Sequence, residues 1–134
     1  MCPRTILTLA AAAALCLAGL TARSQAPDLR FSNPARFMPQ TGEALYADIC
    51  QGCHMPAGEG AFGAGRYPAL ANNPNLASAA HPLSQVINGY KGMPPFGALL
   101  TDAQVAAVVN YVRTHFGNAY TDAVTEADAK AARR

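Results

Sequence analysis

Two cysteines and a histidine stand together in the pentapeptide Cys50-Gln51-Gly52-Cys53-His54. Thiols spaced as C-x-x-C lie about one helical turn apart, so both can add to the vinyl groups along one edge of a porphyrin. The histidine that follows can bind the iron from one face of the ring, because neutral imidazole is a good iron ligand. The pentapeptide therefore predicts covalent attachment of one haem c through Cys50 and Cys53, with His54 as an axial ligand of the iron.

Two other kinds of site also use a C-x-x-C pair. A redox-active dithiol usually accompanies a βαβ pattern, and the sequence around Cys50 shows no strand-rich pattern. A structural zinc site needs four ligands, and neither a second C-x-x-C nor an H-x3-H pair follows downstream. The adjacent histidine favours haem over both alternatives.

The sixth coordination position of such an iron is filled by methionine or histidine in electron-transfer cytochromes. Met93 is the strongest candidate because it lies far along the chain from His54 and directly precedes Pro94 and Pro95. Proline rings fix the backbone, so residues 90–96 are predicted to form a rigid loop. Such a loop suits the positioning of a weak thioether ligand.

Four other residues are rivals for the sixth position. Met55 adjoins the axial histidine and would share its face of the haem, whereas Met38 lies in a segment predicted to be an extended leader. His81 stands at a predicted helix start and His115 near a predicted helix end, where surface or capping roles are common for histidine. We therefore expect none of the four to bind the iron.

The first 26 residues resemble a secretory signal peptide. Arg4 supplies the positive start, residues 6–20 are almost uncharged and rich in Ala and Leu, and Ser24-Gln25-Ala26 suits a cleavage site. An uncleaved N-terminal anchor is the minority alternative, since the apolar run is short for a membrane span. Cleavage would remove two of the four cysteines and leave only the pentapeptide pair, which fits haem attachment in the periplasm.

The charge balance bears on the kind of partner. The full chain has 10 basic and 8 acidic residues, a formal net charge of +2. Loss of Arg4 and Arg23 with the signal peptide would leave equal numbers of each sign. The sequence has no basic stripe of the kind that binds nucleic acid. Association with a membrane is expected only through a partner or an uncleaved signal peptide.

Short helices and loops are expected around these residues. Gly, Pro and Asn are frequent in residues 55–75, which are predicted to be irregular and to pack against the haem. Thr101-Asp102-Ala103-Gln104 is a capping box that precedes apolar residues at helical spacing. No convincing strand is visible. The predicted segments are an extended leader at 27–40, helices at 42–49 and 102–114, short helical turns at 76–80 and 82–88, and a tail or short helix at 118–134, starting after Thr121 or Thr125.

Residues 41–117 resemble a class I c-type cytochrome, an all-α fold in which a few short helices wrap one covalently bound haem. The matching pieces are the pentapeptide with its preceding helix, Tyr67-Pro68-Ala69-Leu70, Gly92-Met93-Pro94, and the last main helix with Tyr111. The resemblance implies that the first and last main helices cross and that the Pro68 carbonyl accepts a hydrogen bond from His54 Nδ1.

The resemblance also implies which residues surround the haem. Leu70 and Tyr111 are expected to wall it, although packing between helices is an open alternative for Tyr111. For Tyr46, a place in the core and a place in the haem wall are both open alternatives. Placement alone suggests Arg66 and Tyr90 as partners of the haem propionates. Electrons are expected to cross at an edge near residues 61–64 and 94–96.

Within this class, the chain is most similar in its loop sequences to small monohaem cytochromes that accompany periplasmic dehydrogenases. This similarity implies an exported one-electron carrier, not an enzyme itself, which takes electrons from a dehydrogenase and passes them to a cytochrome or oxidase of the respiratory chain. The alternative is a five-coordinate haem sensor or a peroxide- or gas-binding protein, which would need Met93 unligated. A dedicated subunit of a dehydrogenase complex would share the chemistry and differ in its partner.

Overall fold

A computed structural model of the protein describes residues 40–63 and 65–133. The predicted signal peptide and all but the last residue of the predicted leader lie outside the described residues. Within them, short helices and irregular segments dominate, which confirms the predicted all-α class. No helix in this part of the chain is long and apolar enough to span a bilayer.

The first helical run carries the pentapeptide. Helix α1 spans Gly42–Leu45 and begins after Thr41, whose side chain accepts a hydrogen bond from a first-turn N–H at 3.2 Å. The run continues as a π-helical turn, Tyr46–Cys50, and ends as helix α2, Gln51–His54. The helix predicted at 42–49 is therefore present, but it widens after its first turn and extends through the haem-attachment motif.

A short antiparallel hairpin lies in the loop that follows. Strand β1, Ala61–Phe62, pairs with strand β2, Arg66–Tyr67, so that Ala61 stands opposite Tyr67. The prediction that the chain contains no strand is therefore wrong. Two-residue strands in a glycine-rich segment are too short to show the alternation that marks a strand in a sequence.

Helix α3 spans Ala80–Asn88 and so begins two residues before the predicted start at Pro82. Proline is tolerated there because it lies in the first turn, where N–H groups lack a helical partner. The predicted turn at 76–80 is instead a 3-10 turn at Pro74–Leu76, whose N-cap is Asn73. Gly89 ends the helix at φ 70°, a conformation that glycine adopts without strain.

Helix α4 spans Asp102–Thr114, as the sequence predicts. Both bonds of the capping box are present. Thr101 N–H donates to the Gln104 side-chain oxygen at 2.9 Å, and Gln104 N–H donates to the Thr101 hydroxyl at 3.2 Å. The reciprocal bonds satisfy two backbone donors that a helix start otherwise leaves unpaired.

The core lies where helix α1 crosses helix α4. Gly42 lets the two helices touch, since a Cβ built on it would lie 2.6 Å from Tyr111 Cβ, 2.9 Å from the Ala107 carbonyl carbon and closer still to its oxygen. The crossing implied by the resemblance is therefore present. The buried apolar side chains of the core are Leu45, Tyr46, Leu76, Leu83, Ile87, Leu100, Val105, Ala106, Val108, Val109, Val112, Val124 and Ala129.

Arg113 is the largest fully buried side chain of the described residues. Its guanidinium donates to the backbone carbonyls of Leu76 at 2.9 Å, Ala77 at 3.1 Å and Asp122, and to the Asp122 carboxylate at 2.7 Å. A buried charge needs such partners, because its unpaired burial would be costly. Arg113 therefore fastens the start of the C-terminal segment, residues 118–133, to the domain.

The rest of the C-terminal segment is held by further polar contacts. The Asn110 side chain accepts from the Val124 N–H at 2.7 Å and donates to the Val124 carbonyl at 2.8 Å. Helix α5, Glu126–Ala131, then begins after Thr125, which forms a capping box with Asp128. Of the alternatives that the sequence leaves open for this segment, a tail or a short helix after Thr121 or Thr125, the structure has the short helix after Thr125.

Candidate functional site

The two cysteines of the pentapeptide are free thiols in different surroundings. Cys50 is partly buried at the end of the π-helical turn, and Cys53 is exposed on helix α2. Burial raises the pKa of the Cys50 thiol to about 12, and the neighbouring Cys53 adds a smaller increase.

The ring of His54 is held by a hydrogen bond to the backbone. Its Nδ1 lies 2.9 Å from the carbonyl oxygen of Pro68, so the contact implied by the resemblance is present. A carbonyl can only accept, so Nδ1 carries the proton and Nε2 keeps its lone pair for a metal. Such a bond fixes the orientation of the ring and raises its basicity as a ligand.

Gly60 makes this contact possible. Its φ is 70°, and a Cβ on it would lie 2.7 Å from the Ala69 nitrogen and 2.8 Å from the Pro68 carbonyl carbon. Its own N–H donates to the His54 carbonyl at 3.0 Å. The two stretches of backbone therefore run close enough for Pro68 to reach the imidazole. The sequence predicts only that residues 55–75 are irregular, and the adjacency of Gly60 to Pro68 is visible only in the fold.

Leu70 lies two residues after Pro68, and both its backbone N–H and its carbonyl are hydrogen-bonded. Its N–H donates to the Gly58 carbonyl at 2.7 Å, and its carbonyl accepts from the Asn118 side chain at 2.8 Å. The side chain is partly buried and packs against the core. Leu70 is therefore held two residues from Pro68, and its role as a haem wall stays a prediction.

Tyr111 lies where helices α1 and α4 cross. Its ring centroid is 5.6 Å from that of Tyr46 and 4.1 Å from that of His115, with which it stacks. Burial raises its pKa, with a smaller contribution from the charge of Glu43. Tyr111 thus packs between the helices, which is the alternative that the sequence leaves open for it. Its role as a haem wall stays a prediction.

Tyr46 belongs to the core and supports the end of the pentapeptide. It is 2% exposed, and its hydroxyl donates to the Met55 carbonyl at 2.7 Å. Burial raises its pKa to about 12, with smaller increases from the charges of Cys50, Glu59 and Tyr111. The phenol is therefore a neutral donor that ties the residue after His54 to the first helical run.

Met93 lies in a loop closed by its own backbone. Tyr90 N–H donates to the Met93 carbonyl at 3.0 Å, and Met93 N–H donates to the Tyr90 carbonyl at 2.9 Å. A Cβ on Gly89 would lie 2.6 Å from the Met93 carbonyl oxygen and 2.8 Å from the Pro95 nitrogen. The paired hydrogen bonds and the close backbone packing against Gly89 therefore add to the stiffness that Pro94 and Pro95 are expected to give the loop.

The other candidates stand at the surface. His81 is exposed at the start of helix α3, and His115 is exposed just beyond helix α4. Arg66 and Tyr90 are also exposed, and their roles toward haem propionates stay predictions. Phe62, on strand β1, is 87% exposed, the most exposed of the large apolar side chains in the described chain.

The donor set of the pentapeptide fits one haem c. It offers two free thiols separated by two residues and an imidazole whose Nε2 is available while Nδ1 is bonded. A small helical domain with these donors in a C-x-x-C-H motif defines a c-type cytochrome.

Comparison with known proteins places the chain within this class. The family described as cytochrome c oxidase, cbb3-type, subunit III matches residues 37–112, and the chain belongs to this family of cytochrome c domains.

Two relatives are cytochrome subunits of dehydrogenases. The chain is 36% identical over 115 residues to the fructose dehydrogenase cytochrome subunit of Gluconobacter japonicus, which covers 75% of this chain and 23% of that protein. It is 35% identical over 107 residues to the gluconate 2-dehydrogenase cytochrome c subunit of Pantoea cypripedii, which covers 71% of this chain and 24% of that protein. The chain thus spans about a quarter of the length of these relatives.

Family membership confirms the predicted class and cofactor. The protein is a class I c-type cytochrome, and it carries covalently bound haem c with its iron. The Cys50 and Cys53 pair fits the attachment motif.

Proposed function

We propose that the protein is an exported one-electron carrier whose haem iron is held by His54 and Met93. The observation that carries the proposal is the hydrogen bond between His54 Nδ1 and the Pro68 carbonyl at 2.9 Å. It fixes the imidazole and leaves Nε2 as the ligand atom. The closed loop around Met93 supports the second half of the ligand pair.

The bound haem supplies the one-electron chemistry, and a thioether ligand favours its reduced form. The chain's own contribution is a constant geometry. Pro68 holds the ring of His54, and paired bonds with Tyr90 close the loop of Met93. Ligands held in this way move little when the charge of the iron changes, which suits rapid transfer.

Ligation by Met93 distinguishes an electron carrier from a sensor or a peroxide- or gas-binding protein. An iron with six ligands has no vacant position for a small molecule. Met93 is partly buried in its closed loop, whereas His81 and His115, its rivals among the histidines, are exposed. These placements favour Met93 as the sixth ligand.

The proposed electron donor is a periplasmic dehydrogenase, and the proposed acceptor is a cytochrome or oxidase of the respiratory chain. The two relatives, named as cytochrome subunits of fructose and gluconate dehydrogenases, support the donor. The exposed Phe62 offers apolar surface for a small contact with a partner, and small contacts suit brief encounters. Co-purification as a stable complex would indicate a dedicated subunit, whereas a free monomer would indicate a diffusible shuttle.

The test of ligation is the absorption spectrum of protein matured through an export pathway with haem-attachment machinery. We expect a c-type reduced spectrum and, in the oxidised form, the weak far-red band of charge transfer from methionine to ferric iron. A c-type spectrum without that band, together with ready binding of carbon monoxide, would establish the five-coordinate alternative instead.

Met93→Ala tests the sixth ligand directly. Loss of the thioether should abolish the far-red band, open the iron to carbon monoxide, and lower the reduction potential by on the order of 100 mV, a fraction of the ~0.8 V that axial ligands control. Met38→Ala is the matched control, because Met38 is predicted to lie outside the site. A Met93→Ala protein with the wild-type potential would reject ligation by Met93.

A further inference from the structure

The side chain of Arg133, at the end of the C-terminal segment, binds three acceptors within residues 97–102. Its Nη2 donates to the Leu100 carbonyl at 2.8 Å, its Nη1 to the Gly97 carbonyl, and its Nε to the Asp102 carboxylate. The planar guanidinium can serve three acceptors at once, because its donors point in fixed directions. With 28% of the side chain exposed, the ion pair with Asp102 is partly shielded from water.

Gly97 and Leu100 belong to the stretch that leaves the Met93 loop. On its other side this stretch is tied to helix α3, since Phe96 N–H donates to the Val86 carbonyl at 2.9 Å and Gly97 N–H donates to the Ile87 carbonyl at 3.1 Å. The packing is close, because a Cβ on Gly97 would lie 2.7 Å from the Ile87 carbonyl oxygen. The exit of the loop is therefore held between helix α3 and Arg133.

Arg133 is itself placed by a well-anchored segment. Asn110 binds both backbone groups of Val124, and Thr125 and Asp128 cap helix α5. Ala129 is fully buried against the core on that helix. Arg133 therefore lies about one helical turn after a residue that is packed into the core, which limits where its guanidinium can lie.

The geometry points to Arg133 as a positioning residue that holds the Met93 loop in the arrangement in which its thioether binds iron. The inference rests on the proposed ligation by Met93. A thioether is a weak ligand for ferric iron, so its occupancy depends on how closely the loop is confined. Removing the three contacts of Arg133 leaves the exit of the loop held on one side only.

The experiment measures how readily imidazole displaces the methionine from the oxidised holoprotein. Arg133→Ala is compared with wild type and with Lys130→Ala, which removes an equal charge from an exposed position three residues earlier, on helix α5. Binding of imidazole is followed by loss of the far-red band, and folding is followed separately by far-ultraviolet circular dichroism. We expect imidazole to bind about tenfold more tightly to Arg133→Ala and within about twofold of wild type to Lys130→Ala.

Arg133→Lys supplies a second measurement if the alanine variant fails to fold. Lysine keeps the charge but lacks the planar fork, so we expect imidazole to bind about threefold more tightly than to wild type.

Two results would overturn the inference. Equal imidazole affinity in Arg133→Ala and Lys130→Ala, even with lowered thermal stability, would reduce Arg133 to a purely structural contact. A wild-type protein without the far-red band would reject ligation by Met93, and the role of Arg133 with it. The first result leaves the proposed function intact, so the two failures are distinguishable.

Discussion

Gly42→Ala is the sharpest test of the crossing between helices α1 and α4. The added Cβ would lie 2.6 Å from Tyr111 Cβ and 2.9 Å from the Ala107 carbonyl carbon, where ordinary contacts are 3.4–4 Å. Neither neighbour is the end of a flexible side chain, so the helices must separate by about 1 Å. Overpacking of this kind typically costs about 1–3 kcal/mol, and contact with backbone places this case at the upper end.

Helix propensity acts in the opposite direction and must be subtracted from the steric cost. Alanine is favoured over glycine by about 1 kcal/mol inside a helix. The net loss of stability relative to wild type should therefore be about 1–2 kcal/mol.

The assay is guanidinium unfolding of each holoprotein, followed by far-ultraviolet circular dichroism at matched haem content. We expect Gly42→Ala to lower the midpoint with an unchanged slope, which indicates lost stability rather than a changed unfolded state. In thermal unfolding, each kcal/mol corresponds to about 4–8 °C for a domain of this size. Free energies of unfolding within about 0.5 kcal/mol for Gly42→Ala and wild type would refute the close helix contact.

Two further predictions concern buried polar groups. Tyr46→Phe should cost about 1 kcal/mol, because the Met55 carbonyl loses its donor. The raised pKa means that folding favours the neutral phenol, so the advantage of wild type should be constant below pH 10 and shrink between pH 10 and about 12; a gap that does not change over that range would contradict the burial of this hydroxyl. Arg113→Ala should cost about 3 kcal/mol in urea unfolding, since the Leu76, Ala77 and Asp122 carbonyls lose their donor. Lys130→Ala should stay within about 0.5 kcal/mol of wild type, and an equal loss in both variants would show that the contacts of Arg113 contribute nothing.

The parts of the fold that the sequence predicted are those set by local chemistry. The capping box at Thr101 and the apolar spacing after it specify helix α4 within the chain itself. The pentapeptide is equally local, because the attachment chemistry requires its two thiols and its histidine at fixed spacing. Local sequence was therefore sufficient to predict both helix α4 and the haem-attachment motif.

The parts that the sequence did not reveal depend on distant residues. In the sequence Arg113 is an ordinary polar residue near a helix end, yet its partners at Leu76 and Ala77 lie more than thirty residues away. It is the largest fully buried side chain of the described residues. The π-helical turn at Tyr46–Cys50 and the two-residue strands of the hairpin leave no periodic signal. Contacts between distant residues, and elements too short to repeat a pattern of apolar residues, cannot be predicted from such patterns.

The contact between Gly42 and helix α4 also couples the last main helix to the haem-attachment motif. Gly42 lies against Ala107 and Tyr111 at the start of the helical run that ends at His54. Closely packed interiors transmit displacements, so a shift of helix α4 would move the run that carries the two cysteines and the histidine. The packing of helix α4 therefore bears on the geometry of the haem site as well as on stability.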